Sequence, residues 1–165
     1  TRSHRWAMLL SFAAYQQVLD DSFTIGTTVH ADLHRYPGGS LRALAGRRAA
    51  DPLPFAEPAA LTLADACAAV GGAVAAEPWL ERFPATVRAT PSVHDRRWVL
   101  TDATGSLPLI GPQRALAALV AASAGNPVVV TVEWSPWGLQ PLTLHLPDRS
   151  IDIGPRADPT FVGAA

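Results

Sequence analysis

The sequence contains no lysine and only one cysteine, and both absences restrict what the chain can do. Cys67 alone can form neither an internal disulfide nor a cysteine-rich zinc site, and a chain without disulfides is expected in a reducing compartment such as the cytoplasm. The 13 arginines and 14 acidic residues give a net charge of −1, so the whole molecule should not be drawn to nucleic acid or to an anionic membrane. No apolar run approaches the ~18 residues that a membrane span requires, so no membrane partner is expected.

Apolar and small residues are abundant instead. Hydrophobic residues make up 48% of the 165 residues, which is enough to bury a core without disulfides or metals. The chain has 30 alanines, and all of its cationic residues other than histidine are arginine. Both biases are typical of a genome rich in G and C, and we therefore expect a bacterial source. Because the chain begins with Thr1, we expect it to be part of a longer protein.

The first third of the chain predicts strands and one short helix. Residues 5–15 fit a strand or a helix, and we favour a strand. Residues 27–36 alternate clearly between apolar and polar, which predicts a second strand. Ser40 is a suitable cap for a short helix that Gly46 would close, and residues 49–60 form a proline-rich connector.

Two longer helices are predicted in the remaining two thirds. Thr62 and Asp65 have the spacing of a helix cap, and Pro112 suits the first position of a second helix. The expected buried face of the first helix is Leu63, Cys67, Val70 and Val74, and that of the second is Leu116, Leu119, Val120 and Ser123. We also expect Trp79 and Leu80 to pack back on the core.

Strands are predicted at residues 85–90, 97–101 and 106–110, and a β-hairpin closes the sequence. In that hairpin, residues 128–134 and 142–146 alternate on either side of a turn at residues 135–138. The pattern therefore predicts an α+β fold: a mostly antiparallel sheet, two main helices and a C-terminal β-hairpin. We expect a single domain over residues 1–147 and a loop-like tail over residues 148–165.

The most suggestive group of titratable residues is His30, Asp32 and His34. On a strand the three side chains share one face, with alternate residues about 6.5–7 Å apart, and such ligands suit zinc, iron or manganese. The alternative is a solvent-facing polar stripe, because three side chains on one strand do not converge easily on one ion. We expect no cofactor and no stoichiometric metal, and keep a small metal-binding domain or enzyme using this face as the alternative function.

Known catalytic motifs are missing from the sequence. The segment at residues 37–40 is rich in glycine but lacks the lysine of a phosphate loop, and no Gly-x-Ser-x-Gly segment occurs. No catalytic residue can be named. We therefore interpret the chain as a non-catalytic binding or accessory domain in protein or nucleoprotein assembly, with the question of enzymatic activity left open.

Binding requires only a shaped surface with one or two aromatic or arginine anchors. Trp137 lies between Pro136 and Gly138 at the tip of the predicted hairpin, where it could be a contact anchor or fold back over the sheet. Arginine beside exposed aromatic residues can also hold single-stranded nucleic acid, although the net charge of −1 favours ordinary solvated arginines. A protein partner is thus favoured over nucleic acid. The other binding candidates are Tyr36, Arg42, Arg47 and Arg48.

Short phrases of packing and turn residues also suggest a family. They are Arg5-Trp6-Ala7-Met8-Leu9-Leu10 with Phe12-Ala13, Ala31-Asp32-Leu33 through Tyr36-Pro37-Gly38, Leu41-Arg42-Ala43-Leu44, Trp98-Val99-Leu100 through Leu107-Pro108-Leu109, and Val130-Thr131-Val132-Glu133-Trp134 with Leu139-Gln140-Pro141-Leu142. Together they resemble the region beyond the zinc motif in bacterial SWIM zinc-finger family proteins. The resemblance implies an accessory domain of a larger intracellular bacterial protein. The family's zinc motif needs three cysteines and a histidine and is absent, so none of its ligands can be assigned here.

Overall fold

The computed structural model of the chain describes residues 6–9, 23–37, 41–54 and 58–155. The chain forms two compact units, Thr1–Ala56 and Glu57–Ala165. Their boundary falls inside the proline-rich connector predicted at residues 49–60.

The described residues of the first unit form five short strands. In its three-stranded sheet the strand at residues 42–48 is central. It pairs in parallel with the strand at residues 8–9 and antiparallel with the strand at residues 31–35. A two-residue antiparallel ladder joins the second and fifth strands. The strands are β1 (Met8–Leu9), β2 (Thr27–Thr28), β3 (Ala31–Arg35), β4 (Arg42–Arg48) and β5 (Leu53–Pro54).

The predicted short helix between Ser40 and Gly46 is wrong, because residues 42–48 form the central strand β4. Ser40 itself lies outside the described residues, as do residues 10–22, on which most of the strand predicted at 5–15 falls. The helix was inferred from a cap and a closing glycine alone. In the folded unit, strand β4 exchanges backbone hydrogen bonds with two neighbours and buries Ala43 completely, and these long-range contacts outweigh the local preference.

The second unit is an antiparallel six-stranded sheet with two helices, which confirms the α+β fold and the C-terminal hairpin. The strand order is β11-β10-β9-β6-β7-β8, and every neighbouring pair is antiparallel. The elements are α1 (Leu63–Ala76), β6 (Phe83–His94), β7 (Arg97–Asp102), β8 (Gly105–Pro108), α2 (Gln113–Ser123), β9 (Val128–Ser135), β10 (Gly138–His145) and β11 (Ser150–Asp152).

Helix α1 begins where its cap predicts. The Thr62 hydroxyl donates to the Asp65 carboxylate at 2.8 Å and accepts from the Asp65 amide at 3.1 Å. The expectation that Cys67 is buried is wrong. The inward stripe runs through Leu63, Ala66 and Val70, and Cys67 lies beside it in solvent.

Helix α2 carries the centre of the core. Its N-cap is Pro112, and its buried residues include Leu116 and Leu119, which lie in one apolar cluster with Val130 and Leu144 of the closing hairpin. The closing hairpin thus packs on helix α2, with Leu119 and Val130 fully buried. None of the helices formed by the described residues is long and apolar enough to cross a membrane.

The start of the region predicted to be a loop-like tail is part of this unit. Strand β11 pairs with β10, with Ile151 opposite Leu144, and Ile153 is buried in the core. The prediction missed this strand because Pro147 and Asp148 mark a turn and the strand that follows is only three residues long. Residues 156–165 lie outside the described part of the chain.

Candidate functional site: a groove beside an exposed tryptophan

Two tryptophans of the second unit are almost completely exposed at the same end of its sheet. Trp79, in the loop between α1 and β6, is 91% exposed, and Trp137, between β9 and β10, is 83% exposed. Because Phe83 pairs with Trp134, the loop that precedes β6 lies at the same end as the turn that follows β9. Because Trp79 is exposed, the expectation that it packs on the core is wrong.

The turn that carries Trp137 is held by hydrogen bonds and close packing. Ser135 pairs with Gly138, and the Ser135 hydroxyl donates to the Gly138 carbonyl at 3.1 Å and accepts from the Trp137 amide at 3.3 Å. Gly138 has a φ of 142°, and a Cβ atom there would lie 2.8 Å from the Pro108 carbonyl oxygen. Trp137 itself is 83% exposed, so its indole lies in solvent and is not folded back over the sheet. Its use as a contact anchor stays a prediction.

A groove of 380 Å³ opens beside this indole. Four parts of the chain line it: the loop before β6, the segment between β8 and α2, the end of β9 with its turn, and β10. We call it the Trp137 groove. Its lining residues are Glu81 and Arg82 from the loop, Ile110, then Glu133, Ser135, Pro136 and Trp137, and finally Gln140.

The charges of the Trp137 groove are partly neutralised from within. Arg82 Nη1 lies 2.6 Å from Glu133 Oε2, with the Glu133 side chain 17% exposed and that of Arg82 61% exposed. Glu81 is exposed and makes no ion pair within the described part of the chain. Two carboxylates and one guanidinium leave the groove with a net charge of −1.

A second depression, of 540 Å³, borders Asp102 at the turn after β7. The Asp102 carboxylate accepts hydrogen bonds from the Thr104 hydroxyl at 2.6 Å and from the amides of Leu63 and Thr104, each at 2.7 Å. The hydrogen bond from the Thr104 side chain, followed by that from Leu63, lowers the pKa of Asp102 below its ordinary value. This carboxylate therefore joins the turn after β7 to the first turn of α1.

A chain of polar side chains crosses four neighbouring strands of the same sheet. Thr86 on β6 is hydrogen-bonded to Thr131 on β9 at 2.8 Å, and Thr131 to His145 Nε2 on β10 at 2.9 Å. His145 Nδ1 lies 2.8 Å from the Ser150 hydroxyl on β11. Thr131 occupies the place that a carboxylate holds in a serine–histidine–acid triad. We therefore interpret this series of hydrogen bonds as a link between strands. Sequence reasoning missed it, because only the strand register aligns these residues.

The candidate metal face does not form an enclosed site. His30, Asp32 and His34 are all exposed, and the pairing of β3 with β4 is irregular between Ala31 and Leu33. Among the described residues, no group of three or more histidine, cysteine, aspartate or glutamate side chains is placed to hold a metal ion. The His34 ring lies against Gly46, where an added Cβ atom would be 2.8 Å from Nε2.

The remaining candidates do not form one surface. Tyr36 and Arg42 are neighbours, because the Tyr36 amide donates to the Arg42 carbonyl at 3.1 Å. Arg47 and Arg48 lie at the other end of β4, about 20 Å away at ~3.3 Å per residue. The Arg48 guanidinium stacks over the Phe23 ring at 4.4 Å. All of them belong to the first unit, whereas Trp137 belongs to the second.

No protein-family model, curated protein or solved structure matches the chain. Within the part of the chain that the structure describes, exposed aromatic surface, charge and a cavity coincide at the Trp137 groove.

Proposed function

We propose that this chain is a non-catalytic binding domain of a larger cytoplasmic bacterial protein, and that it joins a protein assembly through the Trp137 groove. The observation that carries the proposal is the exposure of Trp137, 83%, on a turn whose amide at Trp137 is hydrogen-bonded to the Ser135 hydroxyl. Covering the roughly 150–250 Å² of a tryptophan contributes about 4–6 kcal/mol at ~25 cal/mol per Å², before the entropic costs of association. Tryptophan is also among the residues that most often dominate binding energy.

The surroundings of Trp137 support a protein interface. Trp79 supplies a second exposed indole at the same end of the sheet. Arg82, Glu133 and Gln140 provide hydrogen-bonding groups around the apolar surface of Trp137, which is the arrangement of an apolar centre with a polar rim. The resemblance to an accessory region of SWIM zinc-finger family proteins supports the same role.

A catalytic role has less support. Catalysis needs converging groups with tuned protonation, but Arg82 and Glu133 neutralise each other in the groove, and Asp102 is used to cap a helix. The exposed His30, Asp32 and His34 offer no enclosed site to a metal. No observation unites the arginines of the first unit into a nucleic-acid surface.

The proposal can be tested by selecting random displayed peptides on the full 165-residue chain and comparing variants. We expect the selected peptides to bind Trp137→Ala at least about tenfold more weakly, which corresponds to ~1.4 kcal/mol. The control is Val93→Ala, an exposed apolar residue at the opposite end of β6, which should bind as the wild type does. The free energy of unfolding of both variants, measured in urea, should stay within about 0.5 kcal/mol of that of the wild type.

Three outcomes would overturn the proposal. They are a selection that yields no peptide dependent on Trp137, global unfolding of Trp137→Ala, and turnover of simple ester or phosphate substrates by the purified chain. The second outcome would make Trp137 a structural residue, and the third would make the protein an enzyme.

A further inference from the structure

We infer that the Trp137 groove takes an arginine or lysine side chain of the partner, set beside an apolar residue. The inference rests on the proposed function and adds the chemistry of the partner. It is carried by the distribution of charge in the groove, by the exposed indole of Trp137 and by the apolar residues that also line the groove.

Charge is the first argument. Glu133 is already compensated, because Arg82 lies 2.6 Å from it and the Glu133 side chain is largely covered. Glu81 has no such partner within the described residues and is exposed at the groove. A cation entering the groove therefore gains an uncompensated carboxylate, whereas an anion meets a net charge of −1. Charge complementarity of this kind selects partners and excludes those of the wrong sign.

The indole is the second argument. Tryptophan is the best aromatic partner for a cation, provided that the cation reaches its face within about 6 Å of the ring. Trp137 is 83% exposed, and within the described part of the chain no guanidinium lies over its ring. The nearby Arg82 is held instead on Glu133. The face of Trp137 is thus available to a cation supplied by a partner.

The third argument is the fit of a long cationic side chain. Arginine and lysine carry an aliphatic stem that covers apolar surface while the charged head stays among polar groups. The groove provides Ile110 and Pro136 for the stem and the Glu81 carboxylate for the head. Its volume of 380 Å³ falls in the range of ~300–1,000 Å³ that is usual for ligand sites.

The test uses three synthetic peptides that differ at one position. Each has the sequence Gly-Gly-Leu-Xaa-Leu-Gly-Gly with blocked ends, where Xaa is arginine, its neutral isostere citrulline, or glutamate. Binding to the full chain is followed by the indole N–H resonance of Trp137, assigned with Trp137→Phe. We expect the arginine peptide to bind at least about tenfold more tightly than the citrulline peptide, and the glutamate peptide most weakly. Raising the salt from about 0.05 to about 0.5 M should weaken the arginine peptide selectively.

Two variants locate the effect. Glu81→Gln should reduce the preference for arginine over citrulline to less than about threefold, because the uncompensated carboxylate is lost while the shape is kept. Asp148→Asn is the matched control, since this exposed carboxyl follows the other end of β10, and it should keep the full preference.

Equal binding of arginine and citrulline peptides, a preference that survives in Glu81→Gln, or no binding of the arginine peptide would each overturn the inference. These failures are distinct from failure of the proposed function. If selected peptides depend on Trp137 but show no preference for a cation, the binding function stands and the inference falls. If nothing binds in a manner dependent on Trp137, both fall.

Discussion

The carboxylate of Asp102 accepts a hydrogen bond of 2.7 Å from the amide of Leu63, which joins the turn after β7 to the first turn of α1. The same turn supplies the Thr104 hydroxyl, which accepts from the Ala64 amide at 3.1 Å. Thr62 completes the set by accepting from the Asp65 amide. The first amides of a helix have no partner within it, so part of this cap is provided by residues about 40 positions away in sequence.

This cap predicts loss of stability in acid. The lowered pKa of Asp102 means that its ionised form is favoured in the folded state, so its contribution is present above the ordinary value of 3.8 and is lost as the pH falls through the lower native pKa. Asp102→Asn should therefore be less stable than the wild type at neutral pH, and the difference should shrink below about pH 4. Urea unfolding at several pH values measures this. Asp148→Asn, an exposed control, should show no such trend; a difference independent of pH would contradict the assignment.

The polar chain across the sheet predicts a cost for removing its centre. Thr131→Val keeps the shape but removes hydrogen bonds to Thr86 and His145, and Thr86 is almost fully buried. We expect a loss of about 1–3 kcal/mol in the free energy of unfolding. Thr143→Val is the matched control, because Thr143 pairs with Thr131 and its side chain makes no hydrogen bond within the described residues. Equal losses in the two variants would show that the chain of hydrogen bonds contributes little.

The turn between β6 and β7 predicts a stabilising substitution. Asp95 and Arg96 have φ angles of 47° and 62°, although neither is glycine, and His94 pairs with Arg97 across them. Two-residue turns of this kind favour glycine at the second position, because a side chain is strained there. Arg96→Gly should raise the free energy of unfolding by about 0.5–1 kcal/mol. In the control, Arg97→Gly within β7 should lower it. Destabilisation by Arg96→Gly would show that the arginine side chain makes a compensating contact.

Two glycines predict opposite responses to the same substitution. Gly138 has a φ of 142°, and a Cβ atom added to it would lie 2.8 Å from the carbonyl oxygen of Pro108. Gly138→Ala should therefore cost about 1–3 kcal/mol and disturb the turn that carries Trp137. Gly71 lies within α1 and has open space around it, so Gly71→Ala should stabilise the protein by about 0.5–1 kcal/mol. Thermal unfolding distinguishes the two, and a stable Gly138→Ala would mean that the turn can shift away from Pro108.

Burial of the closing hairpin predicts a large difference between two identical substitutions. Val130 is fully buried in the core, whereas Val93 is 55% exposed. Val130→Asp places an unpaired charge in the core and should unfold the unit or cost several kcal/mol, about 3 or more. Val93→Asp should stay within about 0.5 kcal/mol of the wild type. A folded and equally stable Val130→Asp would contradict the packing of this face.

Local patterns predicted those elements whose determinants lie close together in the sequence. The cap formed by Thr62 and Asp65, the helix start at Pro112 and the alternation around the turn at residues 135–138 are all complete within a few residues. Trp137 could be predicted as a candidate anchor for the same reason, because Pro136 and Gly138 flank it directly.

Burial and long-range pairing could not be predicted in this way. Cys67 and Trp79 were expected to face the core, but the exposure of a side chain depends on which elements pack beside it. The helix expected before Gly46 became strand β4 because two distant strands pair with it, and β11 was missed because its partner β10 is what makes it a strand.

The amino-acid sequence alone determined the α+β class, the two long helices, the closing hairpin and the presence of a tryptophan at its tip, since each depends on spacing between near neighbours. Only the tertiary structure brought Glu81, Arg82 and Ile110 to Trp137. The physical reason is the register of the sheet. Pairing of Phe83 with Trp134 places a loop and a turn about 50 residues apart at the same end of the sheet. The local sequence does not show which distant strands will be joined by backbone hydrogen bonds, or in which register.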